Sequence, residues 1–462
     1  MTLIKSISGI RGTIGGKPSE NLTPLDAVKF AAAYGSWLKN RNPEKNLRVV
    51  VGRDARISGE MIQQLVMNTL VGLGIDIIDL GLSTTPTVEV AVPLEAAEGG
   101  IILTASHNPK QWNALKLLNE KGEFLSGKDG AEILEMAESA DFSFAEVDAL
   151  GKITQVDHYI DTHIEEVIKL PLVDAALVAQ ANLKVAVDAV NSTGGIAIPR
   201  LLKRLGVEVV ELYCEPTGHF PHNPEPLKEH LTEICDLVKQ EKADLGVVVD
   251  PDVDRLAFIA EDGEMFGEEY TLVACADYVL SKTSGNTVSN LSSSRALRDI
   301  TEKHGGTYRA SAVGEVNVVE LMKETNAVIG GEGNGGIINP ELHYGRDSLV
   351  GVALFLTFLA EKKVKVSELR KSYPAYFMSK NKIELTPELD VDHILKQVEK
   401  KYAAEEVSTI DGVKIDFEKH WIHLRKSNTE PIIRIYTEAQ TQQEADAAAE
   451  GMISEIKAIA GF

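Results

Sequence analysis

Leu47-Arg-Val-Val-Val-Gly-Arg-Asp54 is an apolar run that ends in polar residues. A helical stretch follows through Leu70, and then a second strand-like run, Gly74-Ile-Asp-Ile-Ile-Asp-Leu80. The same order returns at Leu183-Lys-Val-Ala-Val-Asp188, with a Gly194-Gly195 turn, a helical stretch through Leu205 and Gly206-Val-Glu-Val-Val-Glu-Leu212. A weaker third copy runs from Thr287-Val-Ser-Asn-Leu291 through residues 295–304 to Gly305-Gly-Thr-Tyr-Arg-Ala-Ser311. Short β-branched runs joined by helices with Gly at the helix end predict parallel βαβ units with right-handed crossovers. Their recurrence predicts three similar α/β domains.

Outward from these repeats the texture changes after about Tyr373. Alternating strands, His420-Trp-Ile-His-Leu-Arg425 and Ile432-Ile-Arg-Ile-Tyr-Thr437, precede a final helix from about Gln442 to Ala460 and predict a smaller α+β domain. The expected fold is three similar mixed α/β domains plus a C-terminal α+β domain, with boundaries at 1–155, 156–258, 259–372 and 373–462. At 462 residues, each domain is large enough for a core of its own. The longest apolar run, near 350–360, is too short to cross a bilayer and reads as a buried helix.

Lys and Arg total 47 against 69 Asp and Glu, a net charge of −22, which disfavours a nucleic-acid partner. A phosphorylated small molecule is compatible, because a few cations can invert the field inside one cleft. The N-terminal stretch has no signal-peptide core, and Cys214, Cys235 and Cys275 match neither a disulfide framework nor a zinc knuckle. A cytoplasmic protein with no membrane partner is expected.

Four motifs follow apolar runs or lie between strands, where open α/β sheets bind ligands. Asp250-Pro-Asp-Val-Asp-Arg255 places three carboxylates at alternate positions, on one side of an extended segment, where their repulsion calls for a hard divalent cation such as Mg²⁺. An EF-hand is excluded, because Arg255 stands at the required Gly. In Thr104-Ala-Ser-His-Asn-Pro109 a turn would leave Ser106 well exposed for reaction, and the Gly-x-Ser-x-Gly elbow is missing. The glycine-rich Gly330-Gly-Glu-Gly-Asn-Gly-Gly336 offers Glu332 and Asn334 to sugar hydroxyls. Arg425-Lys-Ser-Asn-Thr-Glu-Pro431, followed by Arg434, has the make-up of an anion-binding nest.

Together with Gly9-Ile-Arg-Gly12 and Gly52-Arg-Asp54, these motifs resemble the α-D-phosphohexomutase family over essentially the whole chain and in its order. The resemblance implies four domains around a central cleft and a phosphosugar substrate. It implies a phosphoserine at Ser106, with Asp250, Asp252 and Asp254 plus a phosphoserine oxygen holding Mg²⁺. Lys116 would be the acid/base candidate, and Arg11, His107, Asn108 and Arg255 would line the reaction centre. Glu332 and Asn334 would hold the sugar, while Arg425, Ser427, Asn428, Thr429 and Arg434 would grip the phosphate that is not transferred. The expected activity moves a phosphoryl group between the 6- and 1-positions of a hexose through a bisphosphosugar, which would also serve as activator. Glucosamine phosphate is the first candidate, with phosphomannomutase/phosphoglucomutase activity the rival. The chain would act as a monomer or homodimer.

Many bacterial relatives carry Ser and His in the sugar loop, where this chain has Asn334 and Gly336; a different arrangement must therefore complete the site. Pro251 replaces the more usual Gly in the metal loop, and Val313-Gly-Glu-Val-Asn317 has no Lys where many members have a basic residue. Two other classes would share some of these features. A haloacid-dehalogenase-like phosphatase would phosphorylate Asp250, and a sugar-phosphate-binding regulator would bind without turnover.

Overall fold

A computed structural model describes residues 2–6, 9–43, 45–384, 390–426 and 432–460, which form four sheets. The first comprises β1 (Ile4–Ser6), β2 (Gly9–Thr13), β3 (Arg48–Arg53), β4 (Asp76–Leu82), β5 (Gly99–Leu103), β6 (Trp112–Leu118) and β7 (Ile153–Gln155), in the order β1-β2-β6-β5-β3-β4-β7. The second contains β8 (Lys184–Asp188), β9 (Glu208–Leu212), β10 (Leu245–Val249) and β11 (Leu256–Ala260), ordered β11-β10-β8-β9. The third has β12 (Asn286–Asn290), β13 (Tyr308–Ser311), β14 (Ala327–Glu332) and β15 (Gly336–Ile338), ordered β13-β12-β14-β15.

The three repeats read from the sequence are the parallel pairs β3/β4, β8/β9 and β12/β13, each joined by a helix. In each sheet the repeat's first strand also pairs in parallel with a further strand: β5, β10 or β14. That strand then turns back through a loop into an antiparallel neighbour: β6, β11 or β15. The Ser106 loop, the Asp250–Asp254 loop and the glycine-rich loop are these three turns. They are therefore the same topological position used three times, and side chains join them: Ser106 contacts Asp250, and Arg346 bridges Asp254 and Glu332.

The expectation of a separate core for every domain is corrected in the middle of the molecule. One hydrophobic cluster runs from Ile164 and Val187 through Phe258 to Phe355 and Leu369, so the second and third sheets share a core. The apolar run near 350–360 is the helix Ser348–Lys362, buried inside that shared core because it is apolar on every face. No helix among the described residues is long and apolar enough to cross a membrane. The three cysteines are free thiols.

The fourth sheet contains β16 (Phe377–Glu384), β17 (Glu406–Ser408), β18 (Val413–Asp416), β19 (Trp421–Lys426) and β20 (Ile432–Ala439). It is antiparallel throughout, in the order β16-β20-β19-β18-β17, and the helix Gln442–Ala460 packs on it. Buried polar contacts dock it on the third. Arg295 donates to Asp416 (3.1 Å) and to the carbonyls of Phe417, Glu418 and His420 (3.1–3.2 Å), and the Ser292 hydroxyl meets His423 Nδ1 at 2.9 Å.

His423 donates Nε2–H to the Asp411 carbonyl (2.8 Å), and burial pushes its pKa down from 6.5 to about 4. The unfolded chain binds this proton near pH 6.5 and the folded chain does not. The contribution is therefore complete above pH 6.5 and is lost as pH falls toward 4, by about 2–3 kcal/mol at pH 4.5. Urea denaturation at pH 7 and pH 4.5 should show this loss in the native sequence and a smaller one in His423→Gln.

Candidate active site

Ser106 occupies the turn between β5 and β6 with φ +49°, a left-handed conformation that costs a non-glycine residue about 1 kcal/mol and that its surroundings must impose. They do so through Arg56, whose side chain is completely buried. Its Nε donates to Asp54 (2.9 Å), Nη1 to the carbonyls of Pro109 (2.7 Å) and Trp112 (3.0 Å), and Nη2 to those of Asn108 (2.6 Å) and Ser106. Thr104 Oγ1 donates to Asp54 (2.7 Å) and accepts the Ser106 amide (2.9 Å). The Gly-Arg-Asp segment at the end of β3 thus shapes the serine loop.

The expectation of a well-exposed serine is corrected: Ser106 is only 4% exposed, because the loop of the second domain closes over it. Ser106 Oγ donates to Asp250 Oδ2 at 2.8 Å, and His107 Nδ1 lies 3.4 Å away. Burial, with Arg255 and Arg11 next, pushes the His107 imidazole down to about 2, so it is neutral at physiological pH. Arg11 reaches Asn108 Oδ1 (3.2 Å), and Arg255 pairs with Glu225 (3.2 Å).

The three aspartates are fully buried and do not lie along an extended segment as expected. Pro251 and a left-handed Val253 (φ +67°) fold the loop into a turn, closed by the Val253 amide on the Asp250 carbonyl (3.1 Å). The turn draws one oxygen of each carboxylate to within 4.8 Å of the others. Protein donors reach all three carboxylates. Asp250 Oδ1 takes the amides of Asp254 and Arg255 (both 3.1 Å), and Asp252 Oδ2 takes Thr85 (2.6 Å) and Lys116 (2.7 Å). Asp254 Oδ2 takes Lys116 (3.2 Å) and Arg346 (2.7 Å).

Asp252 Oδ1 and Asp254 Oδ1 are buried with no hydrogen-bond partner. Two anionic oxygens left unpaired inside a protein are costly, and hard oxygen donors at this spacing fit a hard divalent cation. Burial alone would lower the Lys116 ammonium, but Asp252 and Asp254 outweigh it and hold the pKa above the ordinary value. Lys116 therefore stands here as a fixed positive charge.

Glu332, at the end of β14, accepts Asn290 (2.8 Å) and the Gly314 amide (3.3 Å) on one oxygen, and Arg346 (3.0 Å) and Asn334 (3.5 Å) on the other. Asn334 Oδ1 takes the Gly336 amide (3.2 Å). The glycines here serve protein contacts: a Cβ at Gly335 (φ +86°) would lie 2.1 Å from the Leu256 carbonyl. The Leu256 amide in turn donates to the Gly335 carbonyl (3.1 Å), so the glycine-rich loop is tied to the strand that leaves the metal loop.

Arg425 pairs with Asp411 (2.8 Å), which also accepts the Val313 amide (2.9 Å). Ser427, Asn428 and Thr429 lie outside the described residues. Arg425 faces Arg434 directly across β19/β20, and Arg434 faces Lys382 across β20/β16. Directly opposed residues of an antiparallel sheet share a face, so three cations line up although like charges repel there. That arrangement fits an anion.

Sequence reasoning missed Arg56, Thr85, Arg346 and Lys382. Arg56 follows Asp54 by two residues and could have been read with it. The others are joined to the site only by register and packing.

Family models describing phosphoglucomutase/phosphomannomutase domains match in series. The alpha/beta/alpha domains I, II and III cover residues 3–144, 157–263 and 267–376, and the C-terminal domain covers 361–455. A phosphoglucomutase/phosphomannomutase of Thermococcus kodakarensis is 37% identical over 440 residues, 94% of this chain and 95% of that one. A phosphoglucosamine/phosphogalactosamine mutase of Sulfurisphaera tokodaii is 32% identical over 458 residues, 98% of this chain and 97% of the relative. Among solved structures, a phosphoglucomutase/phosphomannomutase family protein of Burkholderia thailandensis superposes with a TM-score of 0.84 at 26% identity, covering 99% and 98% of the two chains.

Proposed function

Since the chain belongs to the phosphoglucomutase/phosphomannomutase family and is thus a phosphohexomutase, we propose that it works through a phosphorylated Ser106, with glucosamine phosphate as its preferred sugar. The observation that carries this reading is the 2.8 Å contact of Ser106 Oγ with Asp250 Oδ2, which joins two loops 144 residues apart. Membership of this family speaks against the haloacid-dehalogenase-like phosphatase, and retention of Ser106, Lys116 and the three aspartates speaks against the non-catalytic regulator.

In this reading Asp250, Asp252 and Asp254, with an oxygen of the phosphorylated Ser106, hold Mg²⁺. The ion would supply neutralisation of the phosphoryl charge at the metal loop. The chain's own groups supply the rest. A phosphoserine carries about −1.5 to −2 charge, which repels an incoming hydroxyl oxygen unless cations flank it. Arg11, Arg255 and Lys116 provide them, with His107 beside the Ser106 oxygen and Asn108 holding Arg11. Lys116 is the group that exchanges a proton with the sugar hydroxyl once its two carboxylate partners are otherwise neutralised, because they are what holds its proton.

Ser106 gives its phosphoryl group to the free 1- or 6-hydroxyl. The resulting bisphosphosugar turns end over end, and the other phosphate returns to Ser106. One distal site must then serve both orientations, and we assign it to Arg425, Arg434 and the Ser427–Asn428–Thr429 segment, with Lys382 as a further cation. Glu332 and Asn334 present the sugar loop. Lys382→Ala should raise KM about fivefold, the equivalent of about 1 kcal/mol for an exposed charge, with kcat nearly unchanged and the effect shrinking in high salt. Steady-state kinetics at two ionic strengths check this.

Glucosamine is favoured by the name of the Sulfurisphaera relative, whereas the Thermococcus relative supports glucose and mannose phosphates as the second reading. Comparing kcat/KM for glucosamine, glucose and mannose 1-phosphates decides between them. Preference for either neutral hexose removes the first choice.

A further inference from the structure

Gly336 leaves a space in the sugar loop, and another side chain fills it. A Cβ built on Gly336 would lie 2.3 Å from Arg346 Cδ and 3.0 Å from its Cγ, so the Arg346 stem runs where a side chain at 336 would begin. From there the guanidinium of this side chain, only 9% exposed, reaches three carboxylates on three segments. Nη2 donates to Asp254 in the metal loop (2.7 Å), Nη1 to Glu332 in the sugar loop (3.0 Å) and Nε to Glu315 (2.8 Å).

Its backbone is held just as firmly. The adjacent Asp347 caps the helix Ser348–Lys362 through the amides of Leu349 (2.8 Å) and Val350 (3.4 Å), and its other oxygen takes His163 (2.9 Å) and His343 (3.2 Å). The Ser348 amide donates to the Val253 carbonyl (3.2 Å) inside the metal loop.

We propose that Arg346 is a positioning residue for the mutase reaction: it locks the metal loop and the sugar loop into one register, and Gly336 is the partner that makes room for it. By occupying Asp254 Oδ2 it fixes the carboxylate, whose buried Oδ1 is left without a protein partner within the aspartate cluster. By occupying Glu332 Oε2 it sets the sugar loop at a defined distance from that point. A planar fork presents Nε, Nη1 and Nη2 to three separate carboxylates, whereas an ammonium offers all its donors from a single atom on a flexible stem. The residues that complete the sugar loop in this chain are thus a glycine on the loop and an arginine from behind it. The proposal depends on the phosphohexomutase activity but not on Ser106 as the phosphorylated group, and Ser106→Ala tests that separately.

The test uses the full-length protein and the variants Arg346→Lys, Arg346→Ala, Gly336→Ala and the Gly336→Ala/Arg346→Ala double. For each, kcat and KM are measured on the sugar phosphate the native enzyme prefers, and the melting temperature is taken without added metal. Arg346→Lys should fold, lose at least tenfold in kcat and raise KM. Guanidinium chloride at millimolar concentration should restore at least tenfold activity to Arg346→Ala.

Gly336→Ala should lower both kcat and melting temperature in the native background, yet change neither appreciably once Arg346 is already gone. Native kcat and KM in Arg346→Lys would overturn the proposal, even if its melting temperature falls, since that is the signature of a purely structural residue. Additive effects of Gly336→Ala and Arg346→Ala would also overturn it. Should Arg346→Ala fail to fold, Arg346→Lys and Gly336→Ala still decide: reduced turnover in both supports the proposal, and unchanged turnover in either sinks it.

Discussion

Ser106→Ala should reduce mutase turnover by at least about 10³-fold while leaving the melting temperature close to native. The loss is this large because the residue is proposed as the covalent carrier, and removing a member of a group that acts as a unit removes most of what the unit does. Folding should survive, because the Ser106 side chain contributes one hydrogen bond to Asp250, and the Ser106 amide and carbonyl remain held by Thr104 and Arg56. Intact mass with peptide mapping gives the second half of the result: phosphate on Ser106 in the native protein, removable by phosphatase, and none in the variant. Full-speed isomerisation by the variant would end the phosphoserine reading.

Arg56→Ala is expected to have the largest effect on stability. Arg56 is buried and forms five hydrogen bonds, one to the carboxylate of buried Asp54 and four to backbone carbonyls of the serine loop and its exit. Breaking a buried pair by removing one partner costs roughly 3–5 kcal/mol, and each stranded carbonyl adds to it. A loss on the order of 4 kcal/mol or more is expected in urea denaturation. The fraction that still folds should be slowed about 100-fold, because the left-handed backbone at Ser106 is then unsupported and a displacement of about 1 Å at a reacting oxygen carries that cost. Arg56→Lys should recover only part of either effect, since one ammonium cannot reach carbonyls spread from Ser106 to Trp112. Native-like turnover in Arg56→Ala would show that the loop holds its own shape.

The topology explains why the serine and metal loops could be found from sequence whereas Thr85, Arg346 and Lys382 could not. Leu47–Asp54, Leu183–Asp188 and Thr287–Leu291 carry their repeat in local composition, because a buried parallel strand needs an apolar run whichever fold contains it. The loops after β5, β10 and β14 are legible for the same reason, since chemistry at the carboxyl end of a strand sits directly next to that run. The antiparallel return strands β6, β11 and β15 were not part of the repeat as read. Their apolar residues look like those of any buried strand, and only pairing assigns their direction.

Local sequence therefore determined the α/β class, the threefold repeat, the change of texture near Tyr373 and the motifs that carry the candidate site residues, because strand and helix patterns and charge clusters are properties of short windows. Tertiary structure alone decided that the second and third domains share one core, that Ser106 is buried beneath Asp250, and that Lys116 is a charge clamped between two aspartates. It alone decided that Arg346 fills the space left at Gly336 and that Lys382 stands in register with Arg434 and Arg425. Each of these depends on the distance between residues tens to hundreds of positions apart, and that distance is set by how sheets stack and strands register, which no window of sequence contains.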